Sequence, residues 1–217
     1  MKIAILGTGT VGQTIGHKLV QLGHQLMMGS RTAQNEKALT FVNQHPQHAS
    51  AGTFEQAAAF GEIVFNCTSG LGSLNALQLA KAENLANKVL IDLANPLDFS
   101  NGMPPSLAIC NTHSLGEEIQ NHFPETKVVK TLNTMWCGLM VNPQLVNGGD
   151  HHVFVCGNDA NAKAQVKDLL ISFGWANHLI IDLGDLSKAR GTEMYLPLWL
   201  SLFGHLKTSA FNLKVVH

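Results

Sequence analysis

Three glycines near the N-terminus have the spacing of a phosphate-binding turn. Gly7, Gly9 and Gly12 form a G-x-G-x-x-G pattern directly after the apolar residues 3–6. In this pattern the first glycine allows a tight turn after a strand, the second lets backbone approach a pyrophosphate, and the third lets the next helix pack closely. The phosphates then lie at a helix N-terminus, where N–H groups favour negative charge. The spacing therefore predicts a dinucleotide site, and the competing interpretation is an ordinary glycine turn.

The residues that end the second predicted strand favour NADP over NAD. An NAD-binding fold usually places Asp or Glu about 20 residues after the glycines, where the carboxylate binds the ribose 2′-hydroxyl. This chain instead has Ser30, Arg31 and Thr32, which offer hydroxyl groups and a guanidinium to a 2′-phosphate. Lys37 could add charge to the same pocket. Either cation could also be a solvated surface charge.

Small polar loops follow two later predicted strands, at residues 63–67 and 88–93. An open parallel sheet binds its ligand outside the carboxyl ends of its strands, so these loops should line the nicotinamide half. Asn95 and Pro96 could instead form an ordinary turn. The predicted cofactor-binding residues are Gly7, Thr8, Gly9, Thr10, Val11, Gly12, Ser30, Arg31, Thr32, Cys67, Thr68, Ser69, Asn95 and Pro96.

The segment after the predicted strand 127–132 is a candidate substrate wall. Lys130 could orient a substrate at the mouth of the site or could simply be solvated, and the apolar residues 135–140 could pack against a planar ring or belong to the core. The predicted substrate residues are Gly70, Asn133, Thr134, Met135 and Trp136. Hydride transfer asks mainly for positioning, so no catalytic side chain is predicted.

Composition excludes several classes of protein. The 217 residues are 45% hydrophobic and 13% charged with a net charge of −1, which is typical of a compact globular protein and argues against nucleic acid as a partner. We expect no signal peptide, no membrane span and a cytoplasmic location. The four cysteines have no C-x-x-C spacing and should be reduced thiols. The eleven histidines lack ligand spacing, and His151 and His152 would face opposite sides of a strand, so no metal is expected.

Strands and helices alternate along most of the chain, which predicts a Rossmann-type doubly wound parallel sheet of the α/β class. Residues 1–141 would form the NADP-binding domain, and residues 142–217 a short α/β and helical extension packed on the same domain. Helices are predicted at 33–44, 74–82, 159–173 and 186–203, with a flexible loop at 68–73 and further strands at 49–52, 152–156 and 179–182. Apolar residues in the last helix could form a dimer surface: Tyr195, Leu198, Trp199 and Leu202.

Six segments in order along the chain, at residues 7–12, 29–32, 91–96, 130–134, 155–159 and 183–190, resemble the coenzyme F420-dependent NADP oxidoreductases. The dinucleotide module is also similar to the cytoplasmic domain of the STEAP metalloreductases. The resemblance implies a Rossmann domain with a short C-terminal extension, usually dimeric, that moves hydride between NADP and a deazaflavin. It also implies that Thr8, Ser30 and Arg31 hold the 2′-phosphate. The loops at 68–72 and 133–140 depart from the family pattern, so the second redox partner could be F420 or a flavin such as FMN.

The leading hypothesis is an NADP-dependent oxidoreductase that transfers hydride to or from a planar, small-molecule redox partner. One alternative is an NADPH-dependent reductase of a small imine or carbonyl. That alternative is less favoured, because such enzymes append a longer helical domain than the segment after the last predicted strand. Another alternative is a non-catalytic sensor of NADP redox state.

Overall fold

The computed structural model describes residues 1–216, and its elements alternate as the sequence predicts. The strands are β1 (Lys2–Leu6), β2 (Gln25–Ser30), β3 (Ala49–Thr53), β4 (Ile63–Asn66), β5 (Val89–Asp92), β6 (Leu97–Asp98), β7 (Ser106–Leu107), β8 (Lys127–Thr131), β9 (Val153–Gly157) and β10 (Ile180–Asp182). The helices are α1 (Thr10–Gln21), α2 (Glu36–Gln44), α3 (Phe54–Phe60), α4 (Gly70–Ala80), α5 (Ala82–Leu85), α6 (Leu115–His122), α7 (Cys137–Val141), α8 (Ala160–Phe173), α9 (Ala189–Met194) and α10 (Leu196–Leu206). His217 lies outside the described residues.

Eight strands form one sheet in the order β3-β2-β1-β4-β5-β8-β9-β10. The first six in this order are parallel, which is the Rossmann arrangement, with the strand order reversing between β1 and β4. Strand β9 is antiparallel to β8, and β10 is parallel to β9. The predicted fold class is therefore confirmed, with one antiparallel pairing that the sequence analysis did not foresee.

Alternate residues of each strand enter two separate cores. In β1, Ile3 and Ile5 pack against the face that carries α1, α2 and α8, whereas Ala4 and Leu6 pack against the face that carries α3, α4 and α6. Strands buried on both faces read as continuous apolar runs because every side chain is covered. No helix among residues 1–216 is long and apolar enough to span a bilayer.

Several predicted boundaries differ from the structure. The loop predicted at 68–73 is wrong in its last four residues, because α4 already begins at Gly70, where backbone packs closely on the Asn95 carbonyl. Helix α2 begins at Glu36, three residues later than predicted, since the Asn35 side chain caps it by accepting from the Ala38 N–H at 3.1 Å. The hairpin β6–β7 was not predicted, because two-residue strands carry no periodic signal.

The C-terminal helix is also interrupted. The single helix predicted at 186–203 is wrong: α9 ends at Met194 and α10 begins at Leu196. Pro197 explains the break, because a proline has no N–H to donate to the carbonyl four residues earlier. The predicted placement of His151 and His152 on opposite faces of a strand is wrong as well. Both precede β9, and His151 Nε2 lies 2.9 Å from the Pro143 carbonyl oxygen.

Candidate functional site

The three glycines of the turn do different things in the structure. Gly7 has φ +117°, and a methyl group there would lie 2.6 Å from the Cys67 carbonyl oxygen. A methyl group at Gly12 would overlap the Gly7 carbonyl, whereas one at Gly9 would meet nothing within 4 Å. Gly7 and Gly12 therefore pack the turn between β1, β4 and α1, and Gly9 faces open space. No side chain in the described chain caps the N-terminus of α1, so its first N–H groups are available to an anion.

An open cleft of about 600 Å³ runs along the carboxyl edge of the sheet from the glycine turn. Two groups of residues line it. The predicted residues that line it are Gly7, Thr8, Gly9, Ser30, Arg31, Thr32, Cys67, Thr68 and Ser69. Residues that the sequence analysis missed are Asn35, Phe54, Gly72, Asn75 and Ala76.

A second cleft of about 360 Å³ adjoins the first at Thr8 and Gly9. Thr10 and Lys37 lie on this second cleft together with His17. No Asp or Glu of the described chain lines either cleft, so neither offers the carboxylate that typically binds a ribose 2′-hydroxyl. Asn35, which lines the first cleft, could have been found from the sequence, because an Asn directly before a predicted helix is typical of a helix cap.

Arg31 is exposed at the end of β2 and forms no ion pair with any residue in 1–216. Beside it, the buried Ser30 hydroxyl donates to the Thr32 carbonyl at 2.6 Å. This bond holds the turn that presents the guanidinium to the cleft. The arrangement suits a phosphate, because an unpaired guanidinium can form a bidentate, charge-assisted pair with its oxygens.

Some predicted cofactor residues lie outside the cleft. Val11 is half-buried and packs on the core, and Pro96 is buried. The Asn95 amide donates to the Asn133 carbonyl at 2.8 Å, and the Asn133 amide donates to Asn95 Oδ1 at 2.9 Å. This reciprocal pair joins the loops after β5 and β8. The predicted substrate residue Gly70 is buried against Asn95.

The segment after β8 is turned by Leu132, which has φ +61°. A left-handed conformation costs a non-glycine residue about 1–2 kcal/mol, so tertiary contacts must hold it. Beyond it Met135 is buried, and Trp136 is 39% exposed with its ring over Gly138. Leu139 and Met140 belong to the core and form no wall.

Thr134 lines a separate, mainly apolar cavity of about 250 Å³ together with Thr192 and Tyr195. The hydroxyl of Tyr195 is buried and has no hydrogen-bond partner within residues 1–216. Burial raises the pKa of this hydroxyl, which therefore remains protonated and able to donate a hydrogen bond. Apart from its two threonines and Lys188, the cavity offers mainly apolar walls.

Lys130 is fully buried, so both predicted interpretations, a group at the mouth of the site and a solvated side chain, are wrong. Its ammonium lies 2.8 Å from Asp92 Oδ2 and 2.7 Å from Glu193 Oε1, and it also donates to the Ala94 carbonyl. Burial alone would lower the pKa of Lys130, but the two carboxylates more than offset this and raise it, so the ammonium stays charged. The only sequence signal for this cluster was that ionisable residues interrupt apolar segments.

The cysteine at the end of β4 is a neutral thiol. Cys67 lines the cleft, and burial, with a smaller effect of Asp92, raises the pKa of its thiol well above the usual range. It therefore contributes apolar surface and no nucleophile. Within residues 1–216 no three His, Cys, Asp or Glu side chains are grouped so that they could hold a metal ion.

Comparisons with known proteins agree with this geometry. The family described as NADP oxidoreductase, coenzyme F420-dependent, matches residues 2–96, which contain all the residues that line the first cleft. The crystal structure of a candidate F420-dependent NADP-reductase from Arthrobacter sp. FB24 has 53% sequence identity and a TM-score of 0.94, and each chain covers 100% of the other.

Two curated relatives are more distant. The F420-dependent NADP reductase of Methanocaldococcus jannaschii is 29% identical over 226 residues, which cover 100% of this chain and 99% of that protein. Rat metalloreductase STEAP3 is 28% identical over 206 residues, which cover 91% of this chain. The matched part is 38% of STEAP3, so this chain spans little more than a third of that protein. The similarity over the full length of the Arthrobacter protein shows that the chain belongs to the family of coenzyme F420-dependent NADP oxidoreductases.

Proposed function

We propose that the protein transfers a hydride between NADP(H) and a planar redox partner, with the deazaflavin F420 as the preferred one. The observation that carries this proposal is the cleft that joins an uncapped helix N-terminus to an unpaired Arg31 without any lining carboxylate. When bound, NADPH supplies the hydride from its nicotinamide ring. The chain's own task is to bind, to orient and to exclude water.

Different parts of the cleft would bind different parts of the cofactor. The N–H groups after Gly9 would hold the pyrophosphate, and Thr8 and Arg31 would hold the 2′-phosphate, with Ser30 fixing the turn beside Arg31 through its bond to Thr32. At the other end Thr68 and Ser69 offer hydroxyl groups to the nicotinamide half. No general acid or base is needed, because positioning supplies most of the rate of hydride transfer.

The acceptor is proposed from two sources. The M. jannaschii relative is named as F420-dependent, and the cavity beside Thr134 has the apolar walls that a planar ring requires. The exposed ring of Trp136 adds a further apolar surface at the same edge. FMN remains the alternative acceptor, and the experiment below separates the two.

We also propose that the protein is a homodimer. Helix α10 has eleven residues, nearly all apolar, and only Leu196 is buried. Leu198, Phe203 and Leu206 are exposed, and Trp199 stacks on Phe203. An exposed apolar helix of this kind is typical of a subunit interface, and a second copy would cover it. Light scattering should give twice the chain mass, and a Leu198→Lys variant should give the monomer.

Two further expectations are proposals as well. Residues 142–217 are proposed as an extension of the domain at 1–141, since β9 and β10 continue its sheet. A cytoplasmic location is proposed because the four cysteines are free thiols.

The test is calorimetric titration with NADPH and NADH, followed by addition of oxidised F420 or oxidised FMN while the reduced-nicotinamide absorbance is recorded. Tight NADPH binding and loss of absorbance with F420 would support the proposal. Loss with FMN alone would change the acceptor. Binding without oxidation by F420, FMN or a panel of imines and carbonyls would favour the sensor, and absence of NADPH binding would refute the proposal.

A further inference from the structure

One buried ammonium lies behind the loops that are proposed to hold the nicotinamide half. The Lys130 side chain has no exposed surface, and it bonds to three acceptors on two other segments of the chain. One of these is the carbonyl of Ala94, which lies in the loop after β5. A direct bond therefore ties this loop to β8.

The loop after β4 is attached to the same group through Asp92. Asp92 Oδ1 accepts from the Ala94 N–H at 3.1 Å and from the Asn66 amide at 2.8 Å. Asn66 Oδ1 in turn accepts from the Thr68 hydroxyl at 2.6 Å and from the Thr68 N–H at 3.3 Å. The carboxylate that pairs with Lys130 thus sets the turns at the ends of both β4 and β5.

Glu193 connects the ammonium to the C-terminal extension. Its two carboxylate oxygens accept from the N–H groups of Leu115 at 2.8 Å and Gly116 at 3.1 Å, the first two residues of α6. Helix α9, which carries Glu193, leads directly to Tyr195 and α10. Lys130 therefore joins the nicotinamide-side loops to the segment that lines the cavity beside Thr134.

Stability alone does not account for such a group. A buried ion pair is often no more stabilising than apolar residues of similar volume, because both charges lose their hydration. The ion pair provides a fixed geometry, because its bonds form only when β8, α9 and the end of β5 with its following loop are all in place.

We propose that Lys130 is a positioning residue for hydride transfer. Held between Asp92 and Glu193, it fixes the Ala94 carbonyl directly and the Thr68 loop through Asn66, so that the nicotinamide half is bound in one orientation beside the acceptor. This inference rests on the proposed function.

The test compares the whole cofactor with its adenine-side fragment. The variants Asp92→Asn and Glu193→Gln each preserve size and leave Lys130 one carboxylate partner. We expect each to raise the Kd for NADPH about tenfold, equivalent to about 1.4 kcal/mol, and to lower kcat at saturating NADPH. The Kd for 2′,5′-ADP, which lacks the nicotinamide, should stay unchanged.

Glu117→Gln is the matched control. It breaks the bidentate pair with Arg190, with distances of 2.6 and 2.8 Å, between the same two helices, α6 and α9, and it leaves Lys130 untouched. Both ligands should bind to this variant as they bind to the wild type. Lys130→Met would be a poor test, because it leaves two buried carboxylates without a cation.

Each outcome either supports or overturns the positioning role of Lys130. Unchanged NADPH affinity and unchanged kcat in both variants would overturn the inference and leave the proposed function standing. Equal weakening of NADPH and 2′,5′-ADP would also overturn it, since the network would then support the whole fold and not one end of the cleft. A wild-type protein that binds no NADPH would refute the proposed function, and this inference with it.

Discussion

Removal of the Arg31 guanidinium should separate the two nicotinamide cofactors. Arg31 is exposed and has no ion-pair partner within residues 1–216, so the Arg31→Ala change breaks no ion pair in this part of the chain. A hydrogen bond to a charged group contributes about 1.5–3 kcal/mol, and solvent screening at this exposed position favours the lower end. We therefore expect the Kd for NADPH to rise about tenfold.

Calorimetry with NADPH and NADH measures this difference. The Kd for NADH should hardly change, because NADH lacks the 2′-phosphate, and the penalty for NADPH should shrink as salt is added. Lys2→Ala is a suitable control, since it removes a positive charge at the opposite edge of the same sheet, where Lys2 begins β1. Equal weakening of both cofactors in Arg31→Ala would refute the assignment of this residue to the 2′-phosphate.

Five further substitutions test other parts of the structure. Gly7→Ala should lower the free energy of unfolding by more than about 1 kcal/mol, because the φ of Gly7 is +117°. Gly9→Ala should melt like the wild type but bind NADPH weakly. Equal melting temperatures of the Gly7→Ala and Gly9→Ala variants would contradict this. Lys130→Met should cost about 3–5 kcal/mol in urea unfolding, and a loss below about 1 kcal/mol would speak against a buried pair. The bond from its arginine partner holds the pKa of Glu117 below its usual value. This stabilisation is present above the unfolded pKa and is lost as pH falls through the folded pKa. Glu117→Gln should therefore melt earlier than the wild type at pH 7, and the difference should shrink as the solution is acidified; a pH-independent difference would exclude this origin. Tyr195→Phe should not lower the melting temperature, since the hydroxyl has no described partner, but should raise the KM for the acceptor; an unchanged KM would remove this hydroxyl from the site.

The lining of the cleft that we propose for the cofactor was largely predictable. Residues 3–6 are a continuous apolar run because the strand is covered on both faces, and the glycine spacing places Gly9 at an open helix terminus, so short segments of sequence sufficed for both. Ser30 and Arg31 could be found because their distance from the glycines reflects one strand–helix–strand unit. The start of α4 was missed because Gly70 is an unfavourable helix residue by itself, and a tertiary contact with Asn95 compensates.

The nicotinamide side was less predictable. Asn95 and Asn133 were each singled out, but their reciprocal bonds join residues 38 positions apart, and no local pattern records such a pair. The break before Pro197 had a local signal that the apolar periodicity of the segment masked. The apolar character of α10 was visible in the residue types, whereas only the structure shows that Leu196 is its one buried residue.

The sequence by itself determined the strand–helix alternation, the glycine turn and the presence of Arg31 without a neighbouring carboxylate in the cleft, because these depend on neighbouring residues and on spacing within one structural unit. Only the tertiary structure decided that the Lys130 side chain is buried between two carboxylates and not solvated at the end of its strand. Its partners Asp92 and Glu193 lie on other segments, and nothing near residue 130 specifies them. The physical reason is that burial of a charge is favourable only when distant carboxylates converge on it, and that convergence is a property of the folded chain.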